Sequence, residues 1–472
     1  MPANSWPEND SYNELDPLDS LFSDLSGLEE LQEEETSVSV SVPSRFQGRR
    51  RKAALVLTIV WSGTIALHLV SWGTLFVLGL TTIIGFHALV IVFARAKPHP
   101  EQMQGDLPSV SVLVAAKNEE AVIGRLVKSL CSLDYPGGQY EVWVIDDNSS
   151  DRTPQLLSEL AQKYDQLKVL RRKPEAGGGK SGALNQVLAL TKGEILAVFD
   201  ADAQVSPDLL QRVIPLFQRE NVGAVQVRKV IANAKENFWT KGQASEMAFD
   251  TFMQHQRNAN GGVCELRGNG QFVRRKALLC CGGWNEETIT DDLDLTLRLH
   301  LEKWDIQCVF NPTVEEEGVT NAIALWHQRN RWAEGGYQRY LDYWDLILRN
   351  RMGTRKTWDL FVFVLLQYIL PTAAVPDLLM AIARSRPPIF SPVTGLTITL
   401  SITGMFAGLW RIRRQDKQVK LSTYLLLLLE TLRGTLYLLH WIVVMSSTTA
   451  RMSVRPKRLK WVKTVHQGED GE

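Results

Sequence analysis

Asp200 and Asp202 close the apolar run Ile195-Leu196-Ala197-Val198-Phe199, which follows Gly193-Glu194. The run reads as a buried strand, and open α/β sheets gather their ligands at the carboxyl ends of strands. Two anionic oxygens at such an end suit a hard divalent cation such as Mg²⁺, which takes carboxylate, phosphate and water oxygens. By itself an Asp-x-Asp at a strand exit is ordinary turn chemistry. Two other strand ends add weight to it. Val110–Ala116 runs into Lys117-Asn118-Glu119-Glu120, and Glu141–Ile145 runs into Asp146-Asp147-Asn148-Ser149-Ser150-Asp151. Acids from three strand ends repel one another unless a cation or hydrogen-bond donors lie among them. Their coincidence predicts one ligand-binding crevice.

Three further stretches carry chemistry-bearing residues. Glu175-Ala176-Gly177-Gly178-Gly179-Lys180-Ser181 opens a helix that extends to Thr191, so its backbone can approach phosphates and Lys180 can meet a diphosphate. It falls short of an ATPase P-loop. That pattern needs a glycine where Pro174 stands, and it normally follows the first strand of its domain. Thr290-Asp291-Asp292 precedes Leu293, Leu295, Leu297 and Leu299 and marks a helix N-terminus, where negative charge is favoured; an Asp there can also point into a cleft. Trp326-His327-Gln328-Arg329-Asn330-Arg331-Trp332 is dense in Arg and Trp just before the chain turns apolar.

The elements that must position these groups follow from periodicity. Strands at 110–116, 141–147, 167–170 and 194–199 alternate with helical segments, which predicts an α/β, doubly wound, mainly parallel sheet over residues 107–335. Before it, Arg45, Arg49, Arg50, Arg51 and Lys52 form a basic collar, and Ala53–Phe93 carries no formal charge. That stretch is too long for one crossing of a hydrocarbon core about 30 Å thick. It divides into two helices around Ser71-Trp72-Gly73, closed by Arg95 and Lys97. Residues 45–97 are therefore expected to be a transmembrane hairpin with both ends cytoplasmic. After the α/β region, 336–350 reads as an interfacial amphipathic helix. The apolar region 358–446 holds two or three spans, for four or five in all. Glu430 and Arg433 fall inside the last of them, where they could pair.

The chain carries 52 basic and 52 acidic residues, but the balance hides segregation. Residues 1–44 contain acids and neither Lys nor Arg, and are expected to be a disordered tail rather than a secretory signal. Residues 447–472 form a tail that is basic and then acidic. The five cysteines, with no Cys-x-x-Cys among them, read as buried thiols in a reducing compartment, with neither disulfides nor a zinc site.

In order, Asp147, Asp200-Ala201-Asp202, Thr290-Asp291-Asp292 and Gln328-Arg329-Asn330-Arg331-Trp332 resemble the motif set of membrane-bound family 2 glycosyltransferases of GT-A fold. Cellulose and hyaluronan synthases share these motifs. One departure is Thr-Asp-Asp where many members have Thr-Glu-Asp; the second carboxylate, Asp292, is kept. The resemblance implies a Rossmann-like GT-A domain on the cytoplasmic side of a multi-pass membrane protein. It implies that Lys117, Asn118, Glu119 and Asp147 border the nucleotide, with Lys180 near the diphosphate and Asp200 on the nucleotide or sugar. Asp202 would bind Mg²⁺ or Mn²⁺, and Asp292 would be the catalytic base. Gln328, Arg331 and Trp332 would line the acceptor and diphosphate side. The overall layout is most like the cyanobacterial members that transfer glucose from UDP-glucose to diacylglycerol with inversion, in the plasma or thylakoid membrane and with no nucleic-acid partner. A processive polysaccharide synthase and a glucosyltransferase for another lipid are the neighbouring alternatives. A P-loop transport ATPase is the alternative from another class, and Pro174 speaks against it.

Overall fold

A computed structural model describes residues 48–95, 105–136, 138–414 and 421–455. The expected acidic tail 1–44, Arg45 and Lys97 of the basic collars and the tail beyond 455 lie outside the described residues.

In chain order the helices are α1 Arg49–Leu69, α2 Gly73–Val92, α3 Ile123–Leu130, α4 Thr153–Lys163, α5 Gly179–Leu188, α6 Leu209–Val213, α7 Phe238–Ala259, α8 Arg275–Cys280, α9 Asp291–Leu301, α10 Ala322–Leu348, α11 Thr354–Val364, α12 Leu370–Ala383, α13 Ser391–Arg413, α14 Leu421–Leu438 and α15 His440–Val454. The strands are β1 Val110–Ala116, β2 Tyr140–Asp146, β3 Leu167–Arg171, β4 Ile195–Phe199, β5 Gln204–Val205, β6 Val222–Ile231, β7 Gln271–Arg274 and β8 Asp305–Glu316. They form one sheet in the order β3-β2-β1-β4-β7-β6-β8-β5. The half β3-β2-β1-β4 is parallel throughout. Beyond it β7 runs antiparallel to both β4 and β6, while β6 and β8 are parallel.

β1 and β4 are buried along nearly their whole length, which explains why both read as continuous apolar runs rather than alternating ones. Alternate β1 residues supply two cores. Val110, Val112 and Val114 pack with Ile123, Leu126 and Leu130 of α3 and Leu157 of α4. On the other face Leu113 packs with Ala183, Leu184 and Val187 of α5 and Leu295 and Leu299 of α9. Helices on both faces are what doubly wound means. The chain leaves β1 toward β2 and β3 on one side and returns to β4 on the other. A topological switch point therefore opens at the carboxyl ends of β1 and β4.

Among the described residues, five helical segments are long and apolar enough to cross a membrane: Arg49–Leu69, Gly73–Val92, Thr354–Ala383, Ser391–Arg413 and Ser422–Val454. The third contains a π-helical turn at Leu365–Ile369 just before Pro371. Proline has no N–H to return to the preceding turn, and a π-bulge takes up the mismatch. Glu430 pairs with Arg413 of α13 at 2.6 Å, rather than with Arg433. In place of a separate helix at 336–350, α10 runs unbroken through Gly335-Gly336. These glycines act as close-approach points, not breakers: a Cβ would stand 2.3 Å from Thr290 Oγ1 at Gly335 and 2.3 Å from the Tyr368 hydroxyl at Gly336.

α7 joins the two regions. Asn237 caps it, its side chain accepting from Trp239 and Thr240 amides, and it lies against α13. A Cβ at Gly408 would stand 2.4 Å from the Ala248 carbonyl oxygen. Gly408→Leu is therefore expected to destabilise the fold by roughly 1–3 kcal/mol through overpacking, measured by thermal unfolding in detergent. Gly79→Ala, where nothing lies within 4 Å, serves as the neutral control. Cys264 and Cys308 stand as a disulfide with Cα atoms 6.7 Å apart, which corrects the expectation of five thiols. They are 44 residues apart in sequence, and only the tertiary approach of β8 to the segment after α7 brings them together.

Candidate active site

The first wall of the site is made by the β1 and β2 ends, stitched to each other by loop hydrogen bonds. The Asn118 amide donates to Ser149 Oγ at 2.9 Å, the Ser150 amide donates to Asn118 Oδ1 at 2.8 Å, and the Glu119 amide donates to Thr153 Oγ1 at 2.8 Å. Asn118 and Asn148 both take left-handed backbone, with φ of 55° and 58°, a conformation Asn tolerates better than most residues. Lys117, Glu119 and Asp147 line the cavity below; Asn118 does not. Asn118 holds the loop that carries Lys117 and Glu119.

Asp147 is fixed by Arg172, which donates to Asp147 Oδ1 at 2.5 Å. The same buried guanidinium donates to the Gly177 carbonyl and, at 3.2 Å, to that of Gly179. Arg172 thus ties the β2 end to the glycine loop. Gly178 has φ of 80°, and a Cβ there would stand 2.4 Å from Glu286 Oε2. From the first turn of α5, Lys180 Nζ reaches Asp200 Oδ1 at 2.5 Å. Burial disfavours this charge, but Asp200, Asp291 and Asp292 hold the ammonium above the ordinary lysine range. Asp200 is correspondingly lowered: burial opposes its charge, and Lys180, Lys229 and Arg331 outweigh burial.

Asp202 is 6% exposed and accepts the Glu317 amide on Oδ2 at 3.0 Å. Beside it Glu316 is paired with Lys229 at 2.9 Å. Among the described residues no group of three or more His, Cys, Asp or Glu is placed to hold a metal ion. The donor set fits a hard divalent cation in one way: Asp202 supplies a carboxylate oxygen, and a ligand's phosphate oxygens with water complete the shell.

The opposite wall comes from α9 and α10. Asp291 and Asp292 sit in the first turn of α9, whose N-cap Thr290 makes no side-chain capping bond. Gly268 lies against Asp292; a Cβ there would stand 3.4 Å from Asp292 Oδ2. Burial, then repulsion from Asp291, pushes the Asp292 carboxyl up to about 6. From α10, Gln328, Arg331 and Trp332 line the same cavity, as residues three and four apart on one helix must. Burial lowers Arg331, while Asp200, Asp292 and Asp291 oppose that shift. Arg329 points elsewhere: it is fully buried, donates to Glu246 Oε2 at 2.6 Å and stacks over Trp332 at 4.1 Å. It braces the motif from behind.

These groups share one cavity of about 1250 Å³. Its lining also includes apolar side chains of the helices long and apolar enough to cross a membrane, among them Ile84, Leu366, Ile398, Leu439 and Met445. A base in a cavity with both charged and apolar walls can deprotonate a hydroxyl carried by an apolar molecule. A base acts only when deprotonated, and the Asp292 carboxylate fraction rises with pH through about 6. The kcat/KM profile is therefore expected to gain an acid limb near pH 6, with about a tenth of the plateau left one unit below it. Asp292→Glu, with a different environment for its carboxyl, should move that limb.

Sequence reading missed Arg172, Lys229 and Arg267. Lys229 left a signal, since a lysine inside the apolar run of β6 is expected to have a buried partner. Arg172 and Arg267 left none.

A half-parallel mixed sheet with acids at its switch point and cations among them is the frame of a GT-A glycosyltransferase. Residues 108–335 match the family model described as glycosyltransferase like family 2. The chain is 73% identical over 468 residues to the β-monoglucosyldiacylglycerol synthase of Trichormus variabilis, covering 99% of each chain. It is 54% identical over 471 residues to the synthase of that name from Synechocystis sp., covering 99% of this chain and 97% of the relative. Among solved structures, the mannosyltransferase PcManGT from Pyrobaculum calidifontis, in complex with GDP-Man and Mn²⁺, matches with a TM-score of 0.50 at 21% identity. That match covers 80% of this chain and 99% of that one, and it supports the fold alone. The chain belongs to the family 2 glycosyltransferases, alongside these β-monoglucosyldiacylglycerol synthases.

Proposed function

We propose that the protein transfers glucose from UDP-glucose to the hydroxyl of 1,2-diacylglycerol, giving β-monoglucosyldiacylglycerol and UDP. The observation that carries this reading is the single cavity lined both by Asp292 with its neighbouring acids and cations and by apolar side chains of the candidate membrane-spanning helices. The family supplies the nucleotide-sugar chemistry, and the relatives' name supplies the lipid.

In this reading Lys117, Glu119 and Asp147 border the nucleotide. Lys180 and Arg331 face the diphosphate, whose negative charge grows as the sugar departs. Asp202 would hold a divalent cation, Mg²⁺ or Mn²⁺, and the cation would supply neutralisation of the leaving-group charge. Asp200 orients Lys180 and meets the sugar side. Asp292 takes the proton of the acceptor hydroxyl while that oxygen attacks the anomeric carbon from the face opposite UDP. Attack from the opposite face inverts the α-linked donor to a β-glucoside. Gln328 and Trp332 shape the acceptor side. The catalytic domain faces the cytoplasm, where the soluble donor is found, and the acceptor keeps its chains in the bilayer.

The test is purified protein in detergent with diacylglycerol, Mg²⁺ and radiolabelled UDP-glucose or UDP-galactose in parallel, with lipids separated by chromatography. A single glucosyl lipid from UDP-glucose is the expected product. A labelled polymer, or a product from UDP-galactose alone, would overturn the assignment.

A further inference from the structure

α7 presents a polar stripe to the cavity, Glu246, Asp250, Gln254 and Arg257, spaced about one helical turn apart. Three of the four are satisfied by ion pairs. Glu246 receives Arg329 at 2.6 Å and Trp441 Nε1 at 2.7 Å. Asp250 takes two bonds from Arg267, at 2.6 and 3.1 Å. Arg257 pairs with Asp359 at 2.9 Å. Gln254 differs. Its Oε1 accepts the Glu265 amide at 3.1 Å, which fixes which end of the side chain is the NH₂. That Nε2 is buried and has no hydrogen-bond partner among the described residues, in a side chain only 3% exposed. The nearby acid Glu265 instead receives Arg339 at 2.6 Å and Arg267 at 2.8 Å. A buried amide donor left unmade is costly, so a ligand acceptor is the natural complement.

We infer that Gln254 donates to an ester carbonyl of the lipid acceptor and is a specificity residue for diacylated glycerol. The inference rests on the lipid-acceptor reading given above. A carbonyl oxygen only accepts, and an amide NH₂ only donates. The acceptor hydroxyl must lie at Asp292, so the donor at Gln254 is left for the ester oxygens. Gln254 and Asp292 line the same cavity. In diacylglycerol the hydroxyl and the ester groups share one three-carbon backbone. Phe249 and Met253 on α7, with Val362, Phe363 and Leu366 from the membrane helices, offer the apolar surface for the chains beyond the esters.

The experiment compares dioleoylglycerol with its diether analogue, which has the same chains and hydroxyl but no carbonyls, using UDP-glucose and the full-length protein in detergent. Wild type is expected to favour the diester about ten-fold in kcat/KM, the scale of one buried hydrogen bond. Gln254→Glu keeps the acceptor for the Glu265 amide and removes the NH₂. Its diester preference is expected to fall to about one or below, through KM for the lipid, with KM for UDP-glucose unchanged. Gln254→Met, which adds no charge, should lose the preference in the same way. A wild type that does not distinguish the two lipids, or variants that keep the full preference, would overturn the inference while leaving the lipid reading intact. Glucosylation of neither lipid by wild type would overturn both.

Discussion

Asp292→Asn is expected to lower kcat by roughly 10²- to 10⁴-fold, the usual contribution of a positioned general base, while UDP affinity stays near that of wild type. The amide is isosteric but cannot take a proton from the acceptor hydroxyl. The side chain stands in the first turn of α9 and makes no ion pair, among the described residues, with the groups at the β1 and β2 ends, where the nucleotide would lie. Its charge supports Lys180 and Arg331 only alongside Asp200 and Asp291, which the substitution leaves in place. Isothermal titration with UDP, beside turnover of radiolabelled UDP-glucose on diacylglycerol, separates the two effects. Retained turnover, or lost UDP binding, would remove Asp292 from the role of base.

Asp202→Asn should show the opposite pattern. Its expected effect is a fall of at least about 10²-fold in kcat/KM, from loss of the oxygen that steadies a cation on the diphosphate. An amide oxygen can still accept the Glu317 amide that now bonds Oδ2 at 3.0 Å, so the fold should persist. The distinguishing readout is UDP affinity with and without divalent cation. Wild type should bind UDP more tightly in Mg²⁺ or Mn²⁺, and Asp202→Asn should respond to neither. A variant whose UDP affinity still rises with the cation would place the metal elsewhere.

How much of this was legible in the sequence depended on whether a residue's role is local. β1 and β4 announced themselves because strands buried on both faces are continuous apolar runs, β2 by its shorter run Val142–Ile145, and the ends of all three carried the acids. Gln328, Arg331 and Trp332 could be grouped because three- and four-residue spacing puts side chains on one helical face. The second half of the sheet was not legible. β6 is interrupted by Gln226, Arg228 and Lys229, and β8 contains Pro312, so neither reads as a buried strand until their partners are known. Antiparallel β7 is four residues long, too short to carry a pattern.

Long-range pairings were equally out of reach. Nothing near Arg172 says that it will tie Asp147 to the glycine loop. The Cys264–Cys308 disulfide depends on tertiary approach, and so does the choice of Arg413 over Arg433 as partner for Glu430. The loop role of Asn118 was equally hidden: its left-handed backbone and its bond from Ser150 brace the β1 and β2 ends against each other. The helix expected at 336–350 is continuous with the residues before it because Gly335 and Gly336 are demanded by packing against Thr290 and Tyr368, and a helix braced on both sides tolerates them.

The measurement that tests the central claim most directly is the anomeric configuration of the lipid product made from UDP-glucose and diacylglycerol, read from the anomeric proton coupling by NMR. A single displacement with Asp292 as base and UDP leaving from the opposite face requires the β-glucoside alone. An α-glucosyl lipid would mean retention, and with it a mechanism that this arrangement of Asp292, Asp202 and the apolar cavity does not provide.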